Sequence, residues 1–247
     1  TGKATKRIEE FQYHTKEYVA TLMLGATTPS YDLEKEIDAT YPTEHITKEL
    51  VKETLKKFIG SIEQIPPAFS ACMVDGKRAY ELARKGEEVQ LKAKTLVIDE
   101  IELLECNLPV IKIRVVCSKG TYIRVLGEDI ATALGTCGTM SFLLRTQVGS
   151  YHLNESHTLQ EIAADPAACV EAPVTAVDHL PKLVLTDNQA ARITNGVRTT
   201  IAGTEEGQYV LCASDGEFLG IGTCVEERVK ADKVFAKRTL EKQSIES

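Results

Sequence analysis

The residues from Cys117 to Arg124, Cys-Ser-Lys-Gly-Thr-Tyr-Ile-Arg, gather a thiol, two hydroxyls, an ammonium, a phenol and a guanidinium in one short stretch. What they could do depends on the elements around them. Upstream, Ile111, Ile113, Val115 and Cys117 alternate with Lys112 and Arg114, the pattern of a half-buried strand. Ser118-Lys119-Gly120 turns the chain, and Ile123, Leu126, Ile130 and Leu134 then recur at helical spacing, with Gly135 as a stop. A strand that feeds a glycine turn and opens a helix presents backbone N–H groups to an anion. Arg124 in the first helical turn sits at the wrong end of the helix dipole unless an anion compensates it, either a carboxylate elsewhere in the fold or a phosphate. The plain alternative is a solvent-facing Arg124 and a Tyr122 packed on the sheet.

A second basic stretch runs from Gly76 to Gly86, where Lys77, Arg78, Arg84 and Lys85 face one acid, Glu81. Behind Pro66-Pro67 and Phe69, it suits a loop lying along a nucleic-acid backbone, and equally a surface hairpin with a basic helix. Other chemistries find no support. There is no phosphate-binding G-x-x-x-x-G-K-[ST] string and no nucleophile elbow. The five histidines are scattered and no cysteines are spaced C-x-x-C, so no metal site is expected. The seven cysteines, mostly in apolar strand-like runs, fit reduced thiols in a cytoplasmic protein.

Composition bounds the rest. With 247 residues, 43% of them hydrophobic, the chain can bury a main core and a smaller one. That excludes a disordered, collagenous or disulfide-stapled chain, and no apolar run is long enough to span a bilayer. The net charge of −7 argues against a nucleic-acid partner, but its distribution does not. Asn107 to Gly127 holds four basic residues and no acid, whereas Thr146 to Pro181 holds five acids and no Lys or Arg. If the two basic stretches share a face, a polyanion could bind there; otherwise both are ordinary solvated surface.

The periodicities predict a short helix over Ala4–Phe11 and a strand over Lys16–Leu24 with Tyr18, Ala20, Leu22 and Leu24 on one face. They predict helices over Thr47–Phe58 and Arg78–Lys85, and a hairpin of Thr95–Leu104 and Val110–Cys117 joined by Glu105–Pro109. A strand follows over Phe142–Tyr151. Pro166, Pro173 and Pro181 punctuate an Ala-rich stretch that marks a domain boundary, giving domains 1–181 and 182–247. The second reads as helix Asp187–Asn195 and short strands around Tyr209–Ala213 and Phe218–Val225. Mixed order with hairpins predicts an α+β fold, a mainly antiparallel sheet flanked by helices with a small, mostly β C-terminal module.

In collinear order, Thr1-Gly2-Lys3-Ala4-Thr5-Lys6, Lys16-Glu17-Tyr18, Pro66-Pro67-Ala68-Phe69-Ser70-Ala71, Gly76-Lys77-Arg78-Ala79-Tyr80, Cys117 to Arg124 and Leu143-Leu144-Arg145-Thr146 resemble TruB-type tRNA pseudouridine synthases. The stretch from about 182 to 240 resembles the PUA-type tail of bacterial members. The resemblance implies isomerisation of a uridine in the TΨC loop of tRNA to pseudouridine, without metal or cofactor. The base is flipped into a pocket and an aspartate detaches it from C1′. By residue matching it implies that Tyr18 stacks on the flipped base, that Tyr122 and Arg124 belong to the catalytic pocket, with Arg124 pairing the nucleophile, and that Leu143 forms an apolar wall. Lys77, Arg78, Arg84 and Lys119 are the expected RNA contacts of a monomer whose partner is the TΨC arm of tRNA.

One departure is large. The family's aspartate lies in a Gly-Thr-Leu-Asp-Pro type motif upstream of the stretch matching Thr1–Lys6, and no such string occurs in these residues. Neither Asp75 nor Asp129 is offered as a substitute, and the chain by itself is expected to be inactive. Met73 stands where the family often has a basic residue, and no role is carried over to the Thr27–Asp32 loop. The alternative function is a non-catalytic tRNA-binding or tRNA-folding module using the same basic surfaces.

Overall fold

The computed structural model describes residues 5, 15–67, 70, 72–74, 76–85 and 91–238. The helix expected over Ala4–Phe11, Thr5 aside, lies outside them. The fold is α+β. Its described residues fall into two compact units, one of residues 15–156 and one of residues 157–238 together with Thr5.

The first unit is built on a six-stranded antiparallel sheet whose strands lie in the order Tyr151–His152, Gly138–Val148, Lys16–Leu24, Val110–Cys117, Lys94–Asn107, Gly60–Gln64. In chain order, β1 is Lys16–Leu24, and the short pair β2 (Ala26–Thr27) and β3 (Ala39–Thr40) follows. Helix α1 (Lys48–Lys56) is capped by the Thr47 side chain, which accepts from the Leu50 N–H. Strand β4 (Gly60–Gln64) leads through Pro66-Pro67 to a small hairpin, β5 (Met73–Val74) and β6 (Lys77–Arg78), and helix α2 (Ala79–Arg84). Strands β7 (Lys94–Asn107) and β8 (Val110–Cys117) form the long hairpin. Helix α3 (Ile123–Ala133), β9 (Gly138–Val148) and β10 (Tyr151–His152) complete the unit.

The alternation read from the sequence is what buries the core. Ala20, Leu22, Leu24, Ile111, Ile113, Val115 and Cys117 on one face of β1 and β8 pack with Ile123, Leu126, Ile130 and Leu134 of the α3 stretch. Helix and sheet approach closely because two positions lack a side chain. A Cβ on Gly127 would lie 2.7 Å from Leu22 Cδ2, and one on Gly138 would lie 2.8 Å from Ala131 Cβ.

Differences from the sequence reading fall where the pattern is weak. The β7–β8 connection is Leu108-Pro109 alone, because β7 runs on to Asn107 through its polar residues. Strand β9 begins at Gly138, four residues before the apolar run that signals it. Strand β4 was not predicted: it is short, and two of its five residues are Glu63 and Gln64.

The second unit has a five-stranded sheet, ordered β11-β13-β14-β15-β12, of β11 (Lys182–Val184), β12 (Thr199–Thr200), β13 (Gly207–Cys212), β14 (Phe218–Val225) and β15 (Arg228–Val234). A short helix α4 (Leu159–Ala164) precedes it, and helix α5 (Asp187–Thr194) contributes Ala190 and Ile193 to a core with Leu211, Leu219 and Val229. Ala176 and Val177, from the turn Pro173–Val177, pack on the sheet residues Val210, Cys212 and Ile221. The sequence boundary at 181/182 therefore has, just before it, residues that belong to the second unit's packing. Among the described residues no helix is long and apolar enough to cross a membrane.

Candidate functional site

Strand β1 lies between β8 and β9, so each of its side chains is flanked on both sides. Tyr18 pairs with Val115 on β8 and with Arg145 on β9. Its phenol is half-buried and hydrogen-bonded to the Arg145 guanidinium. Burial pushes the phenol above its ordinary range, against the pull of the Arg145 hydrogen bond and charge. Glu17 pairs with Gln147, so Thr146 is the extra residue of a β-bulge beside Arg145. The bulge turns Arg145 to Tyr18 and lets the Thr146 hydroxyl donate to Glu17 on the other face at 2.7 Å. Leu143, two residues before Arg145, pairs with Ala20 and is 40% exposed.

Lys16 stands opposite Cys117. Burial lowers the affinity of its ammonium for a proton, and the charges of Arg145 and Lys119 lower it further, against the opposing effect of Cys117. Three cations, Lys16, Lys119 and Arg145, thus act on the same end of the sheet as Tyr18.

Arg124 meets the compensating anion that its position called for, and it is a carboxylate. Its Nη1 donates to Asp32 Oδ2 at 3.0 Å and to the Ser30 carbonyl at 3.2 Å. Helix α3 has no acid in its first turn, so Asp32 supplies the negative charge at that end. Asp32 is itself fixed: its Oδ1 accepts from Ser30 Oγ at 2.7 Å and from the Glu34 N–H at 3.1 Å. The loop carrying it is tied to β9, where Thr28 Oγ1 meets Thr139 Oγ1 at 3.1 Å and Met140 N–H donates to the Tyr31 carbonyl at 2.9 Å.

Tyr122 is the N-cap residue of α3. Its phenol oxygen lies 3.1 Å from Cys72 Sγ, and burial, helped by that contact, holds the phenol above its ordinary range. Cys72 also ties in the basic segment, because its carbonyl accepts from the Ala79 N–H at the start of α2. Lys77 and Arg78 are exposed on β6, Arg84 lies in α2, and Lys119 is exposed on the turn before Tyr122.

The structure thus brings Tyr18 together with Arg145, and Arg124 with Asp32, in one unit, with Tyr122 two residues from Arg124. Sequence reasoning missed Asp32, Arg145, Lys16 and Gln64. Arg124 in the first turn of α3 asked for an anion, a carboxylate or a phosphate, without saying which. Among the described residues no group of three or more His, Cys, Asp or Glu side chains could hold a metal ion, and all seven cysteines are free. Chemically, the arrangement offers a half-buried phenol held by one guanidinium and a second guanidinium held by a carboxylate.

Comparison with known proteins places this α+β fold in a family. The profile "TruB family pseudouridylate synthase (N terminal domain)" matches residues 1–123, and "tRNA pseudouridylate synthase B C-terminal domain" matches residues 124–184. The chain belongs to the TruB family. It is 77% identical over 155 residues to tRNA pseudouridine synthase B of Phocaeicola vulgatus, covering 63% of this chain and 66% of that protein. With tRNA pseudouridine synthase B of Caldanaerobacter subterraneus subsp. tengcongensis it shares 36% identity over 237 residues, covering 95% of this chain and 82% of that protein. The matched stretch therefore spans just under two thirds of the first relative. The fold is also that of a chain in a Cbf5-Nop10-Gar1 complex, with a TM-score of 0.69 at 24% identity over 96% of this chain and 71% of that one.

Proposed function

We propose that the protein carrying this chain converts a uridine in the TΨC loop of tRNA to pseudouridine. The observation that carries this reading is the Arg124–Asp32 pair at the start of α3, in a chain of the TruB family. It is a guanidinium already oriented by one carboxylate where a second, nucleophilic carboxylate would need it. In this reading the target uridine is flipped out of its loop and stacks on Tyr18, with Leu143 as an apolar wall. A carboxylate forms a bond to C1′ as the N1–C1′ bond breaks, and the electron pair leaves with the base. The base turns, C5 attacks C1′ and the carboxylate departs. The C5 proton is then lost and N1 regains one, so the product is an isomer and no cofactor is consumed. The Tyr18 phenol, protonated at neutral pH like any tyrosine, is the hydroxyl placed to take part in this transfer.

The 247 residues contain no Gly-Thr-Leu-Asp-Pro string, so the reading assigns the nucleophile to sequence outside them. Lys77, Arg78, Arg84 and Lys119 are assigned to the tRNA backbone, residues 1–181 to the synthase domain and 182–247 to a PUA-like module. A monomer working in the cytoplasm completes the proposal.

The test is pseudouridine formation on an unmodified tRNA transcript. The full-length protein is expected to form it and this chain alone to bind tRNA without forming it. Product from this chain alone would remove the assignment of the nucleophile. In the full-length protein, Arg124→Ala should abolish turnover while tRNA affinity stays within about tenfold. A much larger loss of affinity would reassign Arg124 to phosphate contact.

A further inference from the structure

Gln64 is a polar side chain only 2% exposed, at the end of the edge strand β4. Its amide makes two hydrogen bonds, both to one residue 58 positions away. The Tyr122 N–H donates to Gln64 Oε1 at 2.9 Å, and Gln64 Nε2 donates to the Tyr122 carbonyl at 3.2 Å. The side chain thereby does what a neighbouring strand's peptide would do. The main chain cannot continue such pairing itself, because Pro66 and Pro67 follow and carry no N–H.

The residue so gripped is the N-cap of α3, whose N–H has no partner within the helix and whose carbonyl already accepts the first helical bond, from Leu126. We infer that Gln64 is a positioning residue: it fixes the entry angle of α3 and with it the Tyr122 phenol. The opposite end of Tyr122 is held by Cys72, so the ring is located from both sides. Gln64 also lines, with Ser30, Tyr31, Val125 and Asp129, a cavity of about 490 Å³, which places the clamp beside the loop that receives Arg124. Removing the amide leaves a part-buried N–H without an acceptor at the point from which Tyr122 and Arg124 are both aimed.

The inference rests on the proposed pseudouridine synthesis only for its kinetic consequence, so two readouts are needed. Gln64→Met keeps the shape and removes both bonds. In the full-length protein it should slow single-turnover pseudouridine formation about ten- to a hundredfold, while tRNA affinity changes less than about twofold. Combined with Tyr122→Phe, it should be no slower than the slower single variant, because both act through one ring. Losses that multiply in full would overturn the assignment, as would an unchanged rate. Independently of activity, the Tyr122 amide should be protected from hydrogen exchange in the wild type and lose that protection in Gln64→Met, with the amides from Ile130 to Leu134 unchanged. Equal protection in the two would overturn the clamp even if tRNA were never modified. A wild type that forms no pseudouridine but shows the exchange difference would leave the clamp standing and remove the proposed function. Should Gln64→Met fail to fold, Gln64→Leu, which removes both donor and acceptor in a smaller volume, is read in the same two ways, and wild-type behaviour in it overturns the inference.

Discussion

Two neighbouring residues of β1 face opposite sides of the sheet, and their surroundings are built on different principles. Glu17 meets Arg114 at 2.6 Å and the Thr146 hydroxyl at 2.7 Å, while Arg114 also reaches Glu100 at 2.7 Å. Burial alone would raise the Glu17 carboxyl, but those hydrogen bonds and the guanidinium charge outweigh it and leave it below the usual carboxylate range. Charges on that face are matched by charges. Tyr18 is on the other face, where Lys16, Lys119 and Arg145 concentrate positive charge and Lys16 is pressed toward its neutral form. Matched charge serves the fold. Positive charge gathered on one face suits a polyanionic ligand, and the tRNA of the proposed function is one.

The largest effect that could break this contrast is kinetic. Arg145→Met in the full-length protein removes the group that holds the Tyr18 phenol and should lower pseudouridine formation about a hundredfold. Arg114→Met, a guanidinium lost from the opposite face, should leave the rate per folded molecule unchanged and lower unfolding stability by about 1–2 kcal/mol. Equal rate losses in the two variants would end the distinction between the faces.

A smaller effect sharpens it in binding. Lys119→Ala should weaken tRNA affinity severalfold and lower the steepness of its salt dependence by about one unit, as expected when one phosphate contact is lost. Lys112→Ala, which removes the partner of Glu105, should change neither. A salt slope unmoved by Lys119→Ala would take that residue out of the RNA interface.

The contrast also explains what the sequence made legible. Period-two alternation in β1 and β8 and the helical spacing of α3 were readable because each element buries a single face, so the apolar pattern is the structure. Arg124 announced its need for an anion because helix polarity is local. Asp32 did not announce itself as the answer: its loop is docked by a contact between Thr28 and Thr139, which lie 111 residues apart. Arg145 was hidden by the bulge at Thr146, since simple alternation cannot show which face a residue beside an inserted one will take. Gln64 was hidden because a glutamine at a strand end reads as solvent-facing until its partner is known. Strand β15 was missed because Arg228, Lys230 and Lys233 dominate its composition, while the buried Val229 is its main apolar signal. Local periodicity gave the scaffold, and what the scaffold holds together came from long-range contacts.

The smallest expected effect concerns the matched face and its response to pH. Because the folded state holds the Glu17 carboxyl below its unfolded value, the charged form contributes stability that is complete above the ordinary carboxylate pKa of about 4.3. That contribution is lost as pH falls through the folded value, where Glu17 takes up a proton in the folded state too. Glu17→Gln, measured on the chain by denaturant unfolding, should therefore be less stable than wild type by about 1 kcal/mol at pH 7. The gap should hold down to about pH 5 and close at lower pH, because the wild-type residue then becomes as neutral as the amide. A gap independent of pH would mean that Glu17 serves the sheet through shape and hydrogen bonding alone. The charge matching across from Arg114 would then carry no stability, and the difference between the two faces of β1 would rest on Tyr18 and its cations only.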